Sequence, residues 1–130
     1  MITAEQLIQS ALTARELARA RFSGFKVGAA VEDAHGRIFT GCNIENASFG
    51  LTMCAERVAV FKAISEGAGP LTRIAVVADT ETLTPPCGAC RQILWEFCGD
   101  AKLILANLSG HIESLTIKEI FPTPFDASFL

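Results

Sequence analysis

Two short segments carry residue types on which chemistry can be built: Cys54-Ala55-Glu56-Arg57 and Pro86-Cys87-Gly88-Ala89-Cys90. Cys87 and Cys90 are three positions apart, so one helical turn brings both thiols to the same side. With Cys54 they offer three thiolates, a set that binds Zn²⁺ and leaves its fourth tetrahedral position for water. Each segment is expected to open a helix. Three thiolates give the metal a net negative charge and weaken it as a Lewis acid. The free N–H groups and positive dipole end of a helix start offset that charge, and they also lower thiol pKa. Arg57 is close enough in sequence to add a further positive charge beside the ligands.

Glu56 stands two residues after a thiol. In mid-helix that spacing points to nearly opposite faces. In the first turn both side chains still reach the space ahead of the helix end. A carboxylate beside a metal-bound water is a natural proton shuttle. A Cys-x-x-Cys alone would equally suit a thioredoxin-like redox pair, but such a pair needs neither Cys54 nor Glu56. A closed structural zinc site needs a fourth protein ligand. Its candidates, Cys42, Cys98, His35 and His111, have no ligand spacing to the others.

The elements that must position these residues can be read along the chain. Residues from about Ala4 to Arg19 have helical apolar spacing, with Thr3 as N-cap and Gln6 at the capping-box position. Val27–Val31 and Arg37–Cys42 read as a hairpin turned at Asp33-Ala34-His35-Gly36. A polar loop over Asn43–Thr52 leads to a helix over Cys54–Glu66, stopped by Gly67 and Gly69-Pro70. Arg73–Ala78 is a β-branched strand. Pro85-Pro86 delays the next helix, Cys87–Phe97. Lys102–Ala106 and His111–Leu115 are further strands, and Thr116–Phe121 is a short helix before an irregular tail. Strands alternating with helices imply crossovers and a sheet covered by helices. The expectation is one domain, residues 1–130, of class α/β: a three-layer α/β/α sandwich on a mixed five-stranded sheet.

Composition bounds the partners. The 130 residues are 50% hydrophobic, with a mean hydropathy of +0.36. A domain of this size cannot hide so much apolar surface alone, which favours an oligomer. Phe125 and Phe129, in an irregular tail, point the same way. The net charge of −3 provides no basic stripe for a nucleic-acid backbone. No apolar run approaches the length of a membrane span, and Met1–Gln9 lacks the cationic start of a signal peptide. Five cysteines, an odd count, argue against a disulfide framework and for a reducing, cytoplasmic setting.

The two segments match the all-cysteine form of the zinc nucleobase deaminase signature, Cys-x-Glu followed by Pro-Cys-x-x-Cys. From Leu7 to Phe125 the chain resembles the small, homotetrameric class of cytidine deaminases. The resemblance includes Gly41-Cys42-Asn43-Ile44-Glu45-Asn46 and Cys87-Gly88-Ala89-Cys90-Arg91-Gln92. It implies a cytidine-deaminase-like fold and one Zn²⁺ per subunit on Cys54, Cys87 and Cys90. Glu56 would be catalytic, moving a proton from water to ring N3 of the base and later to the leaving amine. Phe25 would pack on the base, the backbone near Ala55 would read the base edge, and Asn43 and Glu45 would hold the ribose 3′-hydroxyl. Phe125 would reach into a neighbouring subunit's pocket, so that active sites are shared within a homotetramer.

The substrates so implied are cytidine and 2′-deoxycytidine. Another cytosine-bearing nucleoside such as blasticidin S is the alternative, though Asn43–Asn46 favours an ordinary nucleoside. A carboxylate at Glu45 beside the sugar would repel a phosphorylated substrate. Two positions depart from the pattern: Phe22 and Phe49 stand where many members have tyrosine, and the chain has no tyrosine at all. A hydroxyl for the 5′ end of the sugar would be missing at Phe49. Cys42 and Cys98 read as small buried hydrophobes, and His35 and His111 as solvent-facing turn residues.

Overall fold

A computed structural model describes residues Met1–Leu130. Its centre is a five-stranded sheet in the order β2-β1-β3-β4-β5. The strands are β1 (Val27–Asp33), β2 (Ile38–Cys42), β3 (Leu71–Ala78), β4 (Lys102–Ala106) and β5 (Ile112–Thr116). Only β3 and β4 pair in parallel. The other neighbours are antiparallel, so the sheet is mixed, as expected. A parallel pair needs a crossover, and here the crossover carries α3 (Gly88–Cys98), the helix that holds Cys90.

Helix α1 (Ala4–Arg15) covers one face of the sheet. On the other lie α2 (Ala55–Ser65), α3 and the short α4 (Ile117–Ile120). The alternation of strand residues distributes the core between the two faces. Leu103 and Leu105 of β4 join the cluster under α2 and α3, while Ile104 and Ala106 join Leu7 and Ala11 of α1. All seven residues of β1 are buried, because helices press on both of its sides. No helix is long and apolar enough to cross a membrane.

Helix α1 begins with the capping box read from the sequence. Thr3 Oγ1 accepts from the Gln6 N–H at 3.1 Å, and Gln6 Oε1 accepts from the Thr3 N–H at 2.8 Å. It ends four residues earlier than its apolar spacing suggests. Arg19 is drawn off to pair with the loop after β2: its N–H donates to the Asn43 carbonyl at 2.9 Å, and its own carbonyl accepts from the Glu45 N–H at 2.8 Å. Leu17, which the helical spacing would place in the same helix, is left 74% exposed. This tertiary pairing overrides local helix preference. It also fixes residues 43–45 from one side, while Ile44 and Met53 exchange both backbone hydrogen bonds on the other.

The second helix rests on the sheet without a spacer. A Cβ at Gly41 would lie 2.5 Å from both the Ala55 carbonyl oxygen and the Ala59 nitrogen, a separation no side chain tolerates. Glycine in β2 thus lets the start of α2 touch the strand, and that start carries Cys54 and Glu56.

Candidate active site

Cys54 and Cys87 are the N-cap residues of α2 and α3, and neither thiol caps its helix. Sulfur is a poor hydrogen-bond acceptor compared with the usual cap oxygens, so both thiols remain free to act as ligands. Their Sγ atoms are 3.9 Å apart. With the Cys90 sulfur they form a trio whose atoms all lie within 4.8 Å of one another. Three sulfurs at ideal tetrahedral Zn–S distances would be about 3.8 Å apart, so the donor set and its spacing fit zinc. None of the five cysteines forms a disulfide. Cys42, Cys98, His35 and His111 stand outside the cluster, and no fourth protein ligand closes it.

Within the trio, thiolate is favoured at Cys54. Cys54 is held well below the usual thiol range, first because the Cys90 thiol donates to it and then because the Arg57 guanidinium faces it; burial works in the opposite direction. Cys90, as the donor of that pair and fully buried, is pushed up. Arg57 Nη2 donates to Cys54 Sγ and to the Thr52 carbonyl, each at 3.4 Å. Its Nε is buried and has no partner. Arg57 therefore lies beside the sulfurs, as its place in the sequence suggests.

Beside the sulfurs opens a cavity of about 230 Å³. Cys54, Cys87 and Glu56 line its metal end, and Phe25, Asn43 and Glu45 line another part. Ala55, fully buried, also contributes to the wall, which Val27, Thr52, Met53, Val76, Thr84 and Pro85 complete. Of the residues expected at the site, Cys90, Arg57 and Phe125 do not line this space.

Glu56 occupies the second position of α2 and is 5% exposed. Burial lifts its carboxyl to about 7, assisted by the Cys54 charge and opposed by its own N–H and by Arg57. Asn43 has two structural partners: Oδ1 accepts from the Val27 N–H at 2.9 Å, and Nδ2 donates to the Phe25 carbonyl at 2.7 Å. Glu45 is held by three donors. Oε1 accepts from the Phe22 and Ser23 N–H groups at 2.8 and 3.1 Å, and Oε2 accepts from the Ser23 hydroxyl. These bonds, that of the Ser23 hydroxyl foremost, keep Glu45 below the ordinary carboxylate range.

Capacity remains after those bonds are counted. An amide group has two donors and two acceptor sites, and a carboxylate has about four acceptor sites. Asn43 therefore keeps one N–H and Glu45 keeps one acceptor position, the complement of a single hydroxyl group. Taken alone in the sequence both residues read as loop polarity; the resemblance is what names them together as holders of the ribose 3′-hydroxyl.

Phe125 is 58% exposed and stacks on Phe129 with ring centroids 5.6 Å apart. Its carbonyl accepts from Gln92 Nε2 at 2.6 Å, tying the tail to α3. Arg91 was not singled out as a site residue. Its Nε donates to the Pro86 carbonyl at 2.8 Å and its Nη1 to the Ile120 carbonyl at 2.7 Å, which fixes the turn that presents Cys87. Phe22 and Phe49 meet edge to face at 5.9 Å and border a second depression that shares Glu45 and Thr52 with the cavity. His35 and His111 are exposed and Cys98 is buried, as expected, whereas Cys42 is only partly buried.

Comparison with known proteins places this geometry. Residues 1–107 match the model of the cytidine and deoxycytidylate deaminase zinc-binding region. A cytidine deaminase of Halalkalibacterium halodurans is 52% identical over 124 residues, which is 95% of this chain and 94% of that protein. One from Sporosarcina psychrophila is 48% identical over 122 residues, covering 93% and 90%. The crystal structure of a cytidine deaminase from Burkholderia pseudomallei superposes with a TM-score of 0.91 at 43% identity, over 95% of this chain and 100% of that one. The cytidine deaminase of Mycobacterium tuberculosis gives a TM-score of 0.83 at 33% identity, covering 97% and 99%.

Proposed function

As the chain belongs to the cytidine and deoxycytidylate deaminase family, we propose that it hydrolyses cytidine and 2′-deoxycytidine to uridine and 2′-deoxyuridine with release of ammonia. The observation that carries this reading is one shared cavity: the buried Glu56 carboxyl and the sulfurs of Cys54 and Cys87 face the same 230 Å³ that Asn43 and Glu45 line. Zinc, when bound by Cys54, Cys87 and Cys90, supplies a Lewis acid that makes water nucleophilic at neutral pH.

The chain's residues then have distinct tasks. Asn43 and Glu45 offer one donor and one acceptor to the sugar 3′-hydroxyl. Phe25 packs against the base, and the backbone at Ala55 reads its edge. Glu56 takes a proton from the attacking water and delivers it to ring N3, which makes C4 more electrophilic as the C–O bond forms. It then takes the proton of the new C4 hydroxyl and delivers it to the exocyclic amine as the C4–N bond breaks and the C4 carbonyl forms. One water is consumed and one ammonia leaves, so atoms and charge balance. Arg57 keeps positive charge beside the sulfurs throughout.

Glu45 also bears on substrate class. Its charge is retained at neutral pH by its three donors, and a phosphate close to it would be repelled. We therefore favour nucleosides over nucleotides.

We further infer a cytoplasmic homotetramer of one-domain subunits in which Phe125 of one copy enters the cavity of another. The exposed Phe22, Phe49, Leu51, Phe125 and Phe129 support this reading, since solitary domains seldom leave so many large apolar groups in water. Light scattering gives the subunit number directly, and a monomer at assay concentration would overturn it.

The deciding experiment is a spectrophotometric deamination assay on cytidine, deoxycytidine, their 5′-phosphates and blasticidin S, with zinc measured on the same sample. Turnover of the two nucleosides, with near-stoichiometric zinc, is expected. A zinc-loaded protein inert towards all five overturns the assignment.

A further inference from the structure

We propose that Ser23 is a positioning residue for substrate recognition, setting the direction in which Glu45 receives the sugar hydroxyl. The inference rests on the deaminase reading above and adds a residue to it.

The bonding of Glu45 is uneven. Two backbone donors, from Phe22 and Ser23, hold Oε1 and persist whatever side chain occupies position 23. Oε2 has a single protein partner, the Ser23 hydroxyl. The last torsion of a glutamate is soft and has no sharp minima of its own. With Oε1 as a pivot, the Ser23 hydroxyl alone decides where Oε2 and its remaining acceptor site point.

The proton of that hydroxyl has little choice. Ser23 Oγ accepts from the Phe25 N–H at 3.0 Å, which engages one of its lone pairs and leaves its O–H to donate to the carboxylate. The Phe25 carbonyl in turn accepts from Asn43 Nδ2, and Asn43 and Glu45 are held together by the pairing of residues 43 and 45 with Arg19. The bonds form a closed circuit from Glu45 through Ser23, Phe25 and Asn43. Ser23 is the member whose side chain touches both the carboxylate and the segment that presents the Phe25 ring. A charged acceptor fixed in advance loses less on binding than one that must be ordered.

The test compares the wild type with Ser23→Ala and Ser23→Thr on cytidine and 3′-deoxycytidine. For Ser23→Ala we expect KM for cytidine to rise about tenfold, the order expected when one hydrogen bond to a charged group is lost. Most of the fall in kcat/KM should lie in KM. The penalty for removing the substrate's 3′-hydroxyl should shrink several-fold in the same variant, because the carboxylate no longer meets that hydroxyl squarely. A general loosening of structure would not produce that selective change. Ser23→Thr keeps the hydroxyl and should restore both quantities. An unchanged 3′-deoxy penalty in Ser23→Ala, or a threonine variant as impaired as alanine at equal melting temperature, overturns the role of Ser23. A wild type inert towards cytidine instead overturns the deaminase reading itself.

Discussion

The guanidinium of Arg57 lies 3.4 Å from Cys54 Sγ through Nη2, and its Nε is buried without a partner. A guanidinium with one buried, unbonded nitrogen is retained where negative charge compensates it, and the Cys54 sulfur it faces, held well below the usual thiol range, provides that charge. Arg57→Ala should therefore lower activity by about tenfold to a hundredfold, the range for residues that support metal ligands, while zinc remains bound. Paired measurement of kcat and metal content checks this. Kinetics equal to the wild type would reduce Arg57 to a packing residue.

Glu56 and Cys87 line the same cavity but should fail in different ways. Glu56→Gln keeps size and shape and removes the ability to exchange a proton, so kcat should fall by about 10²- to 10⁴-fold with zinc and melting temperature near wild-type values. Cys87→Ala removes a ligand, and because metal binding and folding share free energy, zinc content and thermal stability should fall together. Full zinc occupancy in the cysteine variant would remove Cys87 from the ligand set, and strong activity in the glutamine variant would remove Glu56 from the reaction.

Gly41 tests how closely the strand sets the site. Its added Cβ would meet backbone of Ala55 and Ala59 at 2.5 Å, which no rotamer change can relieve. Gly41→Ala should cost about 1–3 kcal/mol, as overpacking does, and reduce kcat/KM as well, since the displaced helix start carries Cys54 and Glu56. Denaturant unfolding followed by kinetics at matched folded fraction separates the two losses. A stable, fully active variant would mean that α2 can move without consequence.

Asp33 gives a pH dependence away from the cavity. Burial by itself would raise its pKa, but donors from Arg37, Gly69 and His35 outweigh it and hold the carboxyl at about 2, against an ordinary 3.8. Its ion pair with Arg37 is 2.8 Å long. A depressed folded-state pKa stabilises fully above the ordinary value and is lost as pH falls through the folded one. The melting-temperature gap between wild type and Asp33→Asn should thus be widest above about pH 4 and narrow towards about pH 2. A gap that stays constant over this range would show that the charge of Asp33 is not what stabilises the turn.

Much of this organisation is legible in the residues themselves. The β-branched run of β3, the turn at residues 33–36, the Thr3–Gln6 capping box and the glycine and proline stops place the strands and most helix ends. The Cys-x-Glu and Pro-Cys-x-x-Cys spacings locate the helix starts that meet. The misplaced end of α1 depends on Arg19 pairing with residues 43 and 45, a contact with no local signature. The bonding of Glu45 by residues 22 and 23 is equally non-local, and so is the requirement for glycine at position 41, which depends on the backbone of a helix that follows the strand. Phe125 reads as an interface residue because an aromatic ring in an irregular tail has nothing nearby in sequence to cover it.

Cysteine at the cap positions of both α2 and α3 also shapes the behaviour of the metal-free protein. Helices that begin on serine or aspartate secure their own first turn. These two do not, so their opening amides depend on what the sulfurs hold. On chelation, the earliest fraying should occur simultaneously at residues 55–57 and 88–90, while the sheet beneath stays protected from exchange. The enzyme's least self-sufficient backbone would then coincide with the place where its substrate is turned over, and metal supply would govern local order before it governed global unfolding.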